Sequence, residues 1–173
     1  MAVNYTGAKN RGPQHYLWSC GLLLLPAIVW NMALFDRLPP AFAASNFWRD
    51  IPGPLALIEN SLRVIVFGLP FAMPLSASTP AQRRSLFIFG LGSLVYFSSW
   101  LPLIVWPESA WSTSALGFMA PAYTPALWLF GLAALGRQLF WGHFYRWWMY
   151  VVVSCGFIAA HIAHTALVYA RNQ

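Results

Sequence analysis

One of the chain's four acidic residues, Glu59, stands beside Asn60 and four residues before Arg63, where a long apolar run begins. Residues i and i+4 share a helix face, so Glu59 and Arg63 project together. A second polar pair, His161 and His164 followed by Thr165, lies in the apolar segment "WWMYVVVSCGFIAAHIAHTALVYA" and shares a face by its i,i+3 spacing. A carboxylate, two imidazoles and a guanidinium are the parts of an acid–base site. In that reading Glu59 is a general acid or base, and His161 and His164 are its proton partners or ligand contacts. Arg63 clamps an anionic or carbonyl group.

A metal site built from His161, His164 and Glu59 or Asp50 is the lesser alternative. The spacing identifies no third ligand, and no HExxH signature is present, so no cofactor is expected. Bis-histidine haem ranks lower still, because His161 and His164, one turn apart, cannot supply both faces of one haem, and His15 and His143 fall toward the opposite side. The purely structural account is an intrahelical Glu59–Arg63 pair, with arginine reaching the headgroups and the histidines bridging helices.

Elements that hold such residues must be membrane helices. The chain has 173 residues, 59% hydrophobic and only 8% charged, which points to a bilayer as its solvent. The formal charge of +6 comes from basic residues scattered singly or in pairs, with no basic stripe, so nucleic acid is excluded as a partner. Cys20 and Cys155 both sit in apolar runs and suggest neither a disulfide framework nor a CxxC site.

A span needs about 20 apolar residues. Five stretches meet this, at 17–35, 54–75, 86–107, 118–136 and 147–170. The expected fold is an all-α integral membrane bundle of about five transmembrane helices in a single domain, 1–173. The second span reaches its length only by including Glu59, Asn60 and Arg63, with Pro54 in its first turn. Lys9, Arg11, Arg83, Arg84, Arg137 and Arg146 fall on one side, and Arg37, Arg49 and Arg171 with Asp36, Asp50 and Glu108 on the other. The positive-inside rule then puts the N-terminus in the cytoplasm and the C-terminus outside; the expected location is a bacterial inner membrane. "AFAAS" offers a cleavage site after Ala43, but the preceding apolar run is long for a signal peptide, so the first span is read as retained.

The same helix register predicts convergence. At 1.5 Å per residue, Glu59 lies roughly 7 Å below the outer end of its helix and His164 roughly 9 Å below its own. Asn31, Ser98, Ser99, Trp100 and Tyr123 come out at similar depths, so with Asn60 and Arg63 they are expected to contact a ligand in an outward-opening pocket. Pro26, Pro70, Pro102 and Pro125 interrupt four spans and could splay the bundle there. Gly156 and Ala160 form a small-residue face expected to make the last helix central. Trp48, Trp106, Trp111, Trp141, Trp147 and Trp148 read as interfacial anchors.

The function expected is binding of a lipophilic small molecule in a polar pocket of the outer half of the bilayer, with isomerase- or cyclase-type acid–base chemistry open to it. A non-catalytic subunit of a larger membrane complex is the rival. A small transporter ranks third, since no repeated halves are visible. Expected partners are membrane lipids, the lipophilic ligand, and further copies or other subunits. The motifs identify no family.

Overall fold

The computed structural model describes residues 18–141 and 145–173. Leu17, at the start of the first expected span, and Lys9, Arg11, His15 and His143 lie outside the described residues. Among the described residues the chain is helical and forms no strand. The principal helices are α1 (Leu25–Leu34), α2 (Gly53–Gly68), α3 (Pro80–Val105), α4 (Pro125–Leu135) and α5 (Trp147–Arg171). A 3₁₀ turn, Cys20–Leu24, leads into α1, and another, Leu69–Ala72, prolongs α2.

Four stretches are long and apolar enough to cross a membrane: Cys20–Arg37, Gly53–Ala72, Pro80–Val105 and Trp147–Arg171. The expected span at 118–136 corresponds to a shorter apolar stretch, Ala120–Leu135. It is built from a single-turn helix, Ala120–Tyr123, and α4, which restarts at Pro125 because proline has no N–H to continue the preceding turn. The bundle's outer surface is apolar: Met32 and Val64 are each 73% exposed and Phe87 is 71% exposed. Large apolar side chains in such number on the outside are compatible with a membrane.

The prolines mostly mark junctions between helical segments. Pro26 opens α1 and Pro125 opens α4, while Pro102 lies within α3. Pro70 lacks the N–H that would bond the Val66 carbonyl one turn earlier. The buried Tyr150 hydroxyl of α5 donates to that carbonyl instead, at 2.9 Å. Helix α3 begins with a capping box, the Gln82 N–H donating to Thr79 Oγ1 at 3.2 Å and the Thr79 N–H to Gln82 Oε1 at 3.1 Å.

Close packing is achieved at glycines, though not chiefly at the pair expected. A Cβ on Gly92 of α3 would come within 2.5 Å of the Trp128 backbone nitrogen, and one on Gly131 of α4 within 2.5 Å of the Phe89 nitrogen. Helices α3 and α4 therefore touch backbone to backbone. Gly156 of α5 faces only the end of the Leu62 side chain, at 3.3 Å. Trp128, Phe89 and Tyr96 from this seam join Val66, Tyr150 and Phe157 in the core.

Candidate functional site

Helices α2 and α5 lie side by side, and their polar pairs meet. Glu59 is fully buried. Its Oε1 accepts hydrogen bonds from the Arg63 guanidinium and from His161 Nδ1, the latter at 2.9 Å. Its Oε2 lies 2.5 Å from His164 Nδ1. The other nitrogen of His164, Nε2, is 2.9 Å from the Phe47 carbonyl oxygen in the loop between α1 and α2.

That last contact fixes the proton count. A carbonyl only accepts, so His164 Nε2 carries hydrogen. One further proton must then lie between His164 Nδ1 and Glu59 Oε2, whichever atom holds it. The Glu59–His164 pair is therefore neutral as a whole, and Oε1 remains an acceptor in either arrangement. His161 consequently donates through Nδ1–H, which leaves Nε2 as the basic nitrogen when the ring is neutral. Among the described residues His161 Nε2 makes no hydrogen bond.

The loop at 36–53 closes over this cluster. Its helical turn Ala44–Phe47 stacks Phe47 on His164 at 4.2 Å between ring centroids, and Trp48 meets the same imidazole edge-on at 4.7 Å. Trp48 also faces the Arg63 guanidinium at 5.4 Å, with Phe157 at 5.8 Å. Arg171, at the end of α5, donates to the Asn46 and Arg49 carbonyls. Thus His164 and Arg171, seven residues and about two turns apart on one helix, fasten the loop by three carbonyls.

Beside the cluster lies a cavity of about 380 Å³. Phe35, Leu38, Phe42 and Phe47 come to it from α1's end and the loop, and Phe67, Tyr96, Trp100, Trp128 and Phe157 from the bundle. Arg63, His161, Asn31 and Thr165 add polar side chains to the wall. A mainly apolar wall with a few convergent polar groups is the usual make-up of a small-molecule site.

The structure brings most of the expected site residues together but in unequal positions. Arg63, His161, Asn31 and Trp100 line the cavity, whereas Glu59 and His164 stand behind that wall. Asn60 is exposed and its Oδ1 accepts from Arg63 at 2.8 Å, so it orients the guanidinium from outside. Ser99 donates to the Tyr96 carbonyl and lies 3.3 Å from Thr124 Oγ1. Tyr123 donates to the Leu116 carbonyl, and Ser98 is exposed; neither lines the cavity.

Several residues were not anticipated. Tyr96 donates to Asn31 Oδ1 at 2.7 Å and is i,i+4 with Trp100, a spacing that would have found it. Arg171 continues the face of His161 and His164, although its charge also suited a simple topology signal. Phe47 had no periodic signal, because it acts through its ring and carbonyl in a loop. Among the described residues no three His, Cys, Asp or Glu side chains are grouped as metal ligands. Both histidines turn Nδ1 onto Glu59.

No protein-family model, curated protein or solved structure matches this chain. The site's geometry alone therefore carries the functional argument. His161 has one nitrogen oriented by a buried carboxylate and the other without a bond, on the wall of an aromatic cavity. That is an arrangement suited to taking up a proton, since Glu59 holds the ring and stabilises the imidazolium that forms.

Proposed function

We propose that this chain is an integral membrane protein that binds a lipophilic small molecule in the cavity and moves a proton on it through His161. In this reading Glu59 is a positioning residue, His164 ties the carboxylate to the covering loop, and Arg63 stabilises negative charge on the ligand. The carrying observation is the Glu59–His161 pair on the wall of an otherwise apolar cavity. A proton shift next to a carbonyl, as in an isomerase or cyclase, is the chemistry these groups suit best.

The apolar exterior and the four long apolar helices support insertion in a membrane, with Ala120–Leu135 as a short fifth span. Arg83 and Arg84 at the start of α3 favour that end as the cytoplasmic one. The cavity would then lie in the outer half of the bilayer.

Native mass spectrometry of the gently solubilised protein tests the reading. A discrete small-molecule adduct is expected, retained by the wild type and lost in Ala122→Trp, because Ala122 lines the cavity and the larger side chain would fill it. His161→Ala should keep the adduct mass of the unreacted compound while losing turnover. A stoichiometric partner polypeptide with no adduct would overturn the proposal in favour of a subunit of a larger complex.

A further inference from the structure

We infer that the cavity selects a lipophilic molecule bearing one oxyanion, a carboxylate or phosphate-type group on an apolar body, over neutral and cationic lipophiles. This deepens the ligand-binding reading above and rests on it. The first ground is the charge count. Glu59 and His164 share one proton and are neutral together, so the pair leaves the positive charge of Arg63 uncancelled. None of the other three acidic side chains, Asp36, Asp50 and Glu108, contacts this cluster; Asp50 pairs with Arg49 at the surface. The cavity therefore faces a net positive charge.

The second ground is the set of atoms on the wall. Arg63 has five N–H donors. Its bonds go to Glu59 and Asn60, leaving three donors without an acceptor among the described residues. Asn31 has used its oxygen on Tyr96, so its NH₂ is left to donate. No acidic side chain lines the cavity, and Glu59 is sealed behind it. A cation would find no carboxylate on the wall, only ring faces, and would meet the like charge of Arg63. A neutral lipophile would leave the Arg63 charge desolvated and uncompensated, which is costly in an apolar wall. An oxyanion supplies both the missing charge and the missing acceptors, and the guanidinium fork suits either carboxylate or phosphate. The aromatic remainder of the cavity takes the apolar body.

The test measures binding of four probes with a common tail to the full-length protein in neutral maltoside micelles. They are dodecanoate, dodecyl phosphate, dodecan-1-ol and dodecyltrimethylammonium, read by quenching of tryptophan fluorescence and by native mass spectrometry. At least one of the two anions should bind about tenfold tighter than the alcohol, and the ammonium weakest of all. Whichever anion binds tighter assigns the headgroup as carboxylate or phosphate. Arg63→Gln should remove the anion preference while leaving the alcohol's affinity in place. Should that variant fail to fold, Asn31→Asp puts a negative charge on the wall and is expected to abolish the same preference. Equal binding of alcohol and anions would overturn the inference while leaving a lipophilic pocket standing. Binding of none of the four would overturn both.

Discussion

The α3–α4 seam and the α2–α5 seam lie in the same bundle, yet opposite kinds of interaction hold them. At the first, Gly92 and Gly131 let two backbones touch, and the neighbouring contacts are the apolar Phe89, Leu127 and Trp128. Such a seam is cheap, because it buries no charge and only dispersion and shape are at stake. At the second, a carboxylate, an arginine and two histidines are buried or half-buried together. Burying ions is expensive, and their mutual attraction often does no better than an apolar pair of the same shape. A bundle that closes elsewhere with glycine does not need that device for stability. The polar seam instead lies against a cavity and under a fastened loop, where the proposed function draws on its orientation and charge.

That contrast can be broken from either side. The largest effect is expected from Glu59→Ala, which leaves the Arg63 guanidinium and the His161 Nδ1–H without their acceptor, removes the partner of His164 Nδ1, and should cost about 3–5 kcal/mol. Thermal unfolding in detergent measures it. Adding Arg63→Met and His164→Leu to that variant should restore much of the lost stability while leaving ligand binding abolished. If the apolar triple variant is no more stable than Glu59→Ala, the cluster is structural and the contrast between the seams fails.

Next in size is Gly131→Ala. One methyl group would press on the Phe89 backbone, which cannot move aside as a side chain could, so about 1–3 kcal/mol of destabilisation is expected from the same measurement. The smallest effect belongs to Gly156→Ala, where the added methyl meets only the mobile end of Leu62. Its cost should stay below about 1 kcal/mol, offset in part by the gain in helix propensity. A Gly156→Ala penalty equal to that of Gly131→Ala would show that α5, not the α3–α4 pair, sets the packing of the bundle.

Much of this was legible in the residues. The i,i+4 pair Glu59–Arg63 and the i,i+3 pair His161–His164 had to share faces, and their depths from opposite helix ends pointed to one level. Pro54 and the length of the second apolar run placed Glu59 inside a helix, where it is found. Asn31 and Trp100 came to the cavity by the same depth argument. Ser98 shows where that argument stops: depth along a helix says nothing about which way its face turns, and Ser98 faces outward.

The sequence by itself determined the four long apolar helices and the polar residues that must seek partners, because periodicity, hydropathy and proline chemistry act locally along the chain. Only the tertiary structure decided that Glu59 stands behind the cavity with His161 in front, since that depends on how two helices are rotated against each other. It also decided that the loop at 36–53 folds down and meets His164 and Arg171 through its carbonyls. Every residue carries a carbonyl, so no residue type announces which will be used. The glycine seam followed the same logic, because a missing side chain has meaning only once a neighbouring backbone occupies the space it leaves.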